Sequence, residues 1–285
     1  MDELLFDLRR VSVAFRGNDR PQVVLDDCSL RIRQGEFLAI VGRNGSGKST
    51  LGRVLAGLCP ISLGEYNRAV DSSRDVSIVL QNPDAQLVGE TVYEDLCFGM
   101  ENRCIPPEQM QARALAALAE AGLHAGLDTP TAHLSGGQKQ LLCLAGALAV
   151  DAKAFILDEV TAMLDGVARQ TVLRAAARLH RQGKTVIWIT QLMDELSYAG
   201  RVAALESGRL AFDGTAEQFF YEEADRNGAT PQNENHDGSW CGMLGFPPPY
   251  AVEVARQLIR LGWPMDEFRP LRAEQLARAV GAPCL

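Results

Sequence analysis

The pattern of apolar positions along the first 220 residues predicts strands and helices in alternation. Residues 37–41 are apolar throughout, as expected of a parallel strand covered on both faces. After a glycine-rich turn, Leu51, Val54, Leu55 and Leu58 recur at three- and four-residue spacing, which predicts a helix over 48–58. The same reading predicts strands at 76–80, 155–157 and 185–189, and helices at 108–121, from Gly136 and at 166–181. This alternation favours right-handed β-α-β units in a mainly parallel sheet.

Other segments are predicted to flank this alternating core. β-branched runs between 6 and 41, with turn residues at 17–19, predict early strands, and 201–205 with 209–212 predict a closing hairpin. Polar residues replace large apolar ones from Tyr221 to Ser239, which predicts an exposed linker. Beyond it, an apolar stripe and a second short helix at 271–280 are expected; the stripe is Ala251, Val254, Leu258 and Leu261. We therefore expect a large domain at 1–220, a polar linker at 221–243 and a helical extension at 244–285.

Composition and charge narrow the class of protein. Hydrophobic residues make up 47% and charged residues 22% of the 285 residues, which is typical of a globular chain. The net charge of -8 disfavours nucleic acid as a partner. No apolar run reaches the roughly 18 residues that a membrane helix needs, and the first residues lack the pattern of a secretory signal, so we expect a cytosolic location. The seven scattered cysteines include no Cys-x-x-Cys pair and are expected to be buried small hydrophobic residues.

A phosphate-binding loop follows the buried strand at 37–41. Residues 42–50 read Gly-Arg-Asn-Gly-Ser-Gly-Lys-Ser-Thr, which satisfies G-x-x-x-x-G-K-S between a strand and a helix. The glycines let successive backbone N–H groups point inward, and the following helix adds its positive end. Lys48 is expected to reach the outer phosphates and Ser49 to bind Mg²⁺. The candidate nucleotide-binding residues are Gly42, Asn44, Gly45, Ser46, Gly47, Lys48, Ser49 and Thr50.

A second motif ends the strand at 155–157. The segment Ala-Phe-Ile-Leu is followed by Asp158 and Glu159, which resembles a Walker B strand. Asp158 can hold the magnesium shell while Glu159 polarises the attacking water. Together with the phosphate loop, this pair predicts a nucleoside triphosphatase.

The segment between these motifs carries a family resemblance. Leu134 is followed by Ser135, Gly136, Gly137 and Gln138 at a predicted helix start. The run Leu-Ser-Gly-Gly-Gln resembles the signature of the ATP-binding cassette (ABC) family. The resemblance implies a head-to-tail dimer in which ATP and Mg²⁺ lie between one chain's phosphate loop and the other chain's signature. The implied fold is an α/β P-loop NTPase of ABC type, with a RecA-like parallel-sheet core, an antiparallel β subdomain, an α-helical signature subdomain at about 82–150 and the C-terminal helical extension.

The same resemblance implies roles for further residues. Phe15 stands where the family places an aromatic that stacks on adenine, although a core position is the alternative. Gln81 matches the glutamine that senses Mg²⁺ and the membrane partner. Asp165 closes a segment that looks like the D-loop, with a plain helix N-cap as the alternative.

Three segments resemble the ATPases of energy-coupling factor transporters. These are residues 81–86 (Gln-Asn-Pro-Asp-Ala-Gln), residues 91–99 and the tail from Leu244 to Ala251. The resemblance implies a motor subunit on the cytoplasmic face of the membrane, which contacts the membrane through protein partners only. Those partners would be a second ABC ATPase, expected to be a paralogue, a transmembrane coupling subunit and a membrane subunit that binds a vitamin or metal ion. The extension is expected to stabilise the ATPase dimer.

One departure from the family pattern concerns the reaction itself. Gln191 stands where the family places a switch histidine; Val160 and Leu141 are smaller departures. A glutamine amide donates a hydrogen bond but cannot take up a proton. We therefore expect slower hydrolysis on this chain's own phosphate loop and a heterodimer with one altered site, with Glu159, Gln191 and Gln81 as the catalytic residues. Two alternatives stay open: an assembly cassette that binds ATP but hydrolyses it weakly, and a soluble cassette that remodels nucleic acid or ribosomes.

Overall fold

The computed structural model describes residues 3–16, 20–70, 74–224, 238–263, 265 and 267–281. The strands are β1 (Leu4–Arg16), β2 (Pro21–Arg33), β3 (Phe37–Gly42), β4 (Leu63–Arg68), β5 (Val76–Val79), β6 (Ala154–Asp158), β7 (Thr185–Thr190), β8 (Arg201–Glu206) and β9 (Arg209–Gly214). The helices are α1 (Lys48–Leu55), α2 (Val92–Glu101), α3 (Pro107–Ala121), α4 (Gly136–Ala149), α5 (Gly166–Arg181), α6 (Ala216–Tyr221), α7 (Trp240–Met243), α8 (Tyr250–Arg260) and α9 (Ala273–Gly281).

A six-stranded sheet carries the predicted motifs. Its order is β5-β6-β7-β3-β8-β9, and neighbours are parallel except in the β8–β9 hairpin. A second, antiparallel sheet has the order β2-β1-β4. Because the carboxyl ends of parallel strands meet at one edge of a sheet, the segments after β3, β5, β6 and β7 converge there. Gly42 and Asp158 are the last residues of β3 and β6, and Gln81 and Gln191 follow β5 and β7.

Both faces of the six-stranded sheet are covered by apolar clusters. On one face, Phe155, Leu157 and Trp188 pack with side chains of α2 to α5. On the other face, Ile156 and Ile189 pack with α1 and the antiparallel sheet. Every residue of β3, β6 and β7 is buried, which confirms the expectation drawn from their apolar runs.

The predicted core elements are confirmed with small shifts of their ends. α1 ends at Leu55 rather than at residue 58, because Gly57 with φ +75 follows its C-cap. Gly122, with φ +77, ends α3 as predicted. β4 was not anticipated, since its residues are exposed except for the half-buried Tyr66 and show no alternation. α2 was also missed, although Thr91 and Glu94 form a capping box at its start. The predicted turn at 17–19 lies outside the described residues.

The C-terminal extension packs on the domain that precedes it. Leu244, Val252 and Leu271 are buried in one cluster with Val41 of β3 and Phe219 of α6. Three residues of the expected stripe, Ala251, Val254 and Leu258, pack in one cluster with Leu276 of α9, whereas the fourth, Leu261, is 76% exposed. α8 also buries Val252 and Ala255, because it packs on the preceding domain as well as on α9.

Both ends of the predicted polar linker at 221–243 belong to helices. Tyr221 ends α6, and its hydroxyl donates to the Pro270 carbonyl oxygen at 2.7 Å. At the other end, α7 begins at Trp240 and Cys241 is fully buried. Residues 225–237 lie outside the described part of the chain, and the boundary between domain and extension stays a prediction.

The cysteines divide into three groups. Cys28, Cys143 and Cys241 are buried as expected, Cys59 and Cys97 are half-buried, and Cys104 is exposed; Cys284 lies outside the described residues. Burial raises the pKa of the Cys143 thiol to about 12. None of the described helices has the length and apolar character needed to cross a bilayer.

Candidate active site

The phosphate loop joins β3 to α1 through a turn that requires glycine. Gly47 has φ +99, and a Cβ built on it would lie 2.7 Å from Leu25 Cδ2 and 2.8 Å from the Val24 carbonyl oxygen. Another side chain would therefore meet β2 as well as strain the backbone. Of the other predicted loop residues, Gly42, Ser46 and Thr50 are buried, and Asn44 and Gly45 are exposed.

Lys48 begins α1 with its side chain only 4% exposed. Its Nζ donates to the carbonyl oxygens of Gly42 at 2.7 Å and Arg43 at 3.1 Å, and lies 3.7 Å from Glu159 Oε1. Burial lowers the pKa of the ammonium, and the carboxylates of Glu159 and Asp158 oppose that shift. A buried cation at the start of a helix favours a polyanionic ligand such as a nucleotide phosphate chain.

Asp158 lies at the end of β6, between β5 and β7 in the sheet. The Ser49 hydroxyl donates to Asp158 Oδ1 at 3.1 Å, so the two residues that are 109 positions apart meet at the loop. Burial raises the pKa of the Asp158 carboxyl, and the hydrogen bond from Ser49 opposes the shift. A hydroxyl and a carboxylate side by side supply the oxygen ligands that Mg²⁺ prefers.

The Glu159 carboxylate is held by two glutamine amides. Glu159 has φ +49, which turns the chain sharply after β6. Gln81 Nε2 donates to Glu159 Oε2 at 2.8 Å, and Gln191 Nε2 donates to Glu159 Oε1 at 2.6 Å. Gln191 Nε2 also donates to Asn44 Oδ1 at 2.8 Å. The three predicted catalytic residues therefore share one hydrogen-bond network that reaches the phosphate loop.

The signature residues lie at the exposed start of α4. Ser135 is the N-cap of this helix: its Oγ accepts from the Gln138 backbone N–H, and Gln138 Oε1 accepts from the Ser135 N–H. Leu134 is buried, whereas Ser135 and Gly136 are exposed and Gly137 is half-buried. Within the described residues, no hydrogen bond or ion pair joins 135–138 to the phosphate loop. The helix start is thus presented outward, where another molecule can meet it.

Two further candidate residues lie away from the glutamate network. Phe15 is near the end of β1 and its side chain is 47% exposed, so it is not a core residue. Asp165 caps α5, with its Oδ1 accepting from the backbone N–H groups of Val167 at 3.0 Å and Ala168 at 2.8 Å.

Sequence reasoning missed a buried carboxylate behind this site. Glu195 lies in a 3-10 helix (Met193–Tyr198) just after Gln191 and is 3% exposed. It accepts hydrogen bonds from Thr161, Trp188 and Thr190. The signal that could have shown it is an acidic residue between the apolar Met193 and Leu196, six positions after the buried strand predicted at 185–189.

Comparison with known proteins agrees with the motifs. The ABC transporter family profile matches residues 25–162. An energy-coupling factor transporter ATP-binding protein, EcfA, from Methanosarcina acetivorans is 36% identical over 268 residues, which is 89% of this chain and 92% of the relative. The chain belongs to the ABC transporter ATP-binding family. A second relative of this ABC protein, EcfA1 from Symbiobacterium thermophilum, is 41% identical over 86% of this chain and 84% of its own.

Solved structures give the same assignment for the ABC fold. CbiO1 from Clostridium perfringens, part of the ABC transporter complex CbiONQ, is similar with a TM-score of 0.66 and 30% identity over 78% of this chain and 92% of its own. A dimeric bacterial ABC transporter cassette superposes with a TM-score of 0.70 at 24% identity, covering 74% of this chain and 99% of that one. The similarity to this second structure supports only the fold. This ABC cassette binds ATP and hydrolyses it.

Proposed function

We propose that this ABC ATPase is the motor subunit of an energy-coupling factor importer. The observation that carries the proposal is the likeness to ATP-binding proteins of such transporters over 86–89% of the chain. It is supported by the convergence of Lys48, Ser49, Asp158 and Glu159 at one sheet edge. In this role, closure and reopening of an ATPase dimer move a membrane partner, and this movement powers uptake.

The residues at the sheet edge have different roles in the proposed hydrolysis of ATP. Lys48 exchanges its bonds with the loop carbonyls for bonds to the outer phosphates of ATP. Ser49, Gln81 and Asp158 fit Mg²⁺, since each offers an oxygen ligand; when bound, the ion neutralises charge on the transferred phosphoryl group. Glu159 accepts a hydrogen bond from the attacking water and orients it. Gln191 and Gln81 hold that carboxylate in place through their amide N–H groups.

A second ABC ATPase completes each nucleotide site. The exposed helix start at Ser135 supplies backbone and hydroxyl donors suited to a γ-phosphate bound on the other subunit. In the same way, the signature of the partner subunit covers the ATP that is bound at Lys48 of this chain. We infer that this partner is a paralogue. Phe15 is available to stack on the adenine, and Asp165 lies in the segment that faces the opposite site.

The membrane part of the importer lies outside this chain. We infer a transmembrane coupling subunit and a substrate-binding membrane subunit that selects a vitamin or metal ion. The ATPase then sits on the cytoplasmic side and contacts the bilayer through these proteins. The extension at 244–285, whose residues Leu244, Val252 and Leu271 pack on the preceding domain, is proposed to stabilise the ATPase pair as well.

Isolation of the tagged chain from detergent-solubilised membranes tests this assignment. We expect an integral membrane protein and a sister cassette to co-purify, and the complex to hydrolyse Mg-ATP. A Lys48→Ala variant is the matched control, which should assemble without hydrolysing. Recovery with ribosomes or DNA and no membrane protein would overturn the importer assignment, and an assembled complex without ATP turnover would overturn the motor role.

A further inference from the structure

A buried carboxylate lies directly behind the catalytic network. Glu195 is 3% exposed and accepts three hydrogen bonds. Oε1 accepts from Thr161 Oγ1 at 2.7 Å, and Oε2 accepts from Trp188 Nε1 at 2.9 Å and Thr190 Oγ1 at 2.6 Å. No ion pair with a lysine, arginine or histidine forms at Glu195 in the described part of the chain. Neutral donors alone hold this carboxylate in the interior.

The three donors come from the two segments that carry the catalytic side chains. Thr161 is two residues after Glu159, in the turn where the Leu164 N–H donates to the Thr161 carbonyl oxygen at 3.1 Å. Thr190 directly precedes Gln191, and its Oγ1 also accepts from the Leu192 backbone N–H at 3.0 Å. One carboxylate therefore joins the chain behind Glu159 to the strand end that bears Gln191.

Packing alone does not account for an acidic residue at this position. Burying a carboxylate costs free energy unless hydrogen bonds replace its water, and an apolar side chain would fill the same space without that cost. Met193 and Leu196 on the same 3-10 helix are such apolar residues and are buried. The carboxylate adds two acceptor atoms that point at two different segments, a property that no apolar residue has.

We propose that Glu195 is a positioning residue for ATP hydrolysis. It ties the turn after Glu159 to the end of β7, and so fixes the 2.6 Å hydrogen bond from Gln191 to Glu159. The same tie reaches the turn that ends at Asp165, because Thr161 begins that turn. The hydrogen bonds of Glu195 go to Thr161, Trp188 and Thr190, so it acts on the reaction through the segments that carry Glu159 and Gln191. This inference depends on the proposed ATPase function.

Removing a single link tests the inference with little change of shape. Thr161→Val keeps the side-chain volume and deletes the donor to Glu195 Oε1. We expect kcat for Mg-ATP to fall about tenfold, the loss of roughly one oriented hydrogen bond, while the KM and nucleotide affinity change less than about twofold. Thr161→Ser restores the hydroxyl and is expected to restore kcat.

The chain offers a matched control on α5. Thr171 Oγ1 donates to the Val167 carbonyl oxygen at 3.1 Å, away from Glu195, so Thr171→Val makes the same chemical change elsewhere. Its kcat is expected to match that of the unmodified protein. A double-mutant cycle pairs Thr161→Val with Gln191→Ala in the assembled complex. Because both act on one network, their effects are expected to be less than additive.

A second pair of variants keeps the test decisive if Thr161→Val does not fold. In Glu195→Gln the amide oxygen faces Trp188 and Thr190 and the amide nitrogen faces the Thr161 oxygen, so all three links survive. Its kcat is expected within about threefold of the original, whereas Glu195→Leu loses all three links and is expected to lose at least about tenfold.

The outcomes separate the inference from the function on which it depends. Equal kcat for Thr161→Val, Thr171→Val and the unmodified protein overturns the positioning role. Strictly additive effects in the cycle, or a lower unfolding temperature with unchanged kcat, overturn it too, because they indicate support for folding only. An unmodified complex that does not hydrolyse ATP would instead refute the proposed function.

Discussion

Replacing Gln191 by histidine probes the departure of this chain from the family pattern. In the structure one amide nitrogen donates both to Glu159 Oε1 at 2.6 Å and to Asn44 Oδ1 at 2.8 Å. The bond to a carboxylate is the stronger one, contributing about 1.5–3 kcal/mol. Deleting both bonds in Gln191→Ala is therefore expected to lower kcat roughly ten- to hundredfold.

Gln191→His is expected to move the rate in the opposite direction. An imidazole N–H can keep the bond to Glu159, and the adjacent carboxylate favours the protonated ring, which can carry charge and a proton where an amide cannot. We expect turnover on this chain's phosphate loop to rise by about tenfold, below the range usual for general acid–base catalysis, because in the proposed mechanism Glu159, held by Gln81, already orients the water. The gain should diminish as pH rises through the imidazole pKa.

The assay must report this chain's phosphate loop alone. Single-turnover hydrolysis of Mg-ATP by the assembled complex, with the corresponding glutamate of the partner subunit neutralised, isolates that site. We expect the slowest hydrolysis in Gln191→Ala, an intermediate rate in the unmodified chain and the fastest in Gln191→His. Equal rates in all three proteins would refute a functional role for Gln191 and, with it, the expected asymmetry between the two sites.

Three further predictions concern the loop, the proposed metal ligand Asp158 and the signature. Gly47→Ala is expected to destabilise the fold by at least about 2 kcal/mol, because its Cβ would collide with β2 at a positive φ; thermal unfolding measures it, with exposed Gly45→Ala as a comparison. Asp158→Asn is expected to raise the nucleotide-free unfolding temperature at pH 7 while abolishing hydrolysis. Burial raises the pKa of the Asp158 carboxyl, so the native state binds this proton more tightly than the unfolded chain does. The stability of the unmodified chain therefore falls as pH rises from the carboxyl's pKa in the unfolded chain to its raised pKa in the native state. The gain in unfolding temperature from Asp158→Asn should shrink on acidification, and a gain independent of pH would contradict this. Ser135→Ala costs about 1 kcal/mol of cap stability and should slow hydrolysis on the partner's phosphate loop more than on this chain's own; equal slowing of both sites in site-specific turnover would contradict the arrangement in trans.

Much of the fold and of the site could be predicted from local pattern. The apolar run at 37–41, the glycines around Lys48 and the acids after 155–157 identify a strand, a loop and a strand end, because each depends on neighbours in the chain. Helix starts such as Ser135 follow from the same local chemistry, since a cap bonds to N–H groups only three residues away.

Contacts between distant segments followed from the strand order instead. Gln191 meets Asn44 across 147 positions, and Glu195 meets Thr161 across 34, because β7 lies between β6 and β3 in the sheet. The hydrogen-bond partners of Glu195 and the contacts of α8 depend on which elements pack together, and local sequence pattern does not identify such partners. Sequence alone therefore determined the chemistry that each segment of this ABC ATPase carries. The tertiary structure decided which side chains hold one another in position, because hydrogen bonds form only between groups that folding brings within about 3 Å.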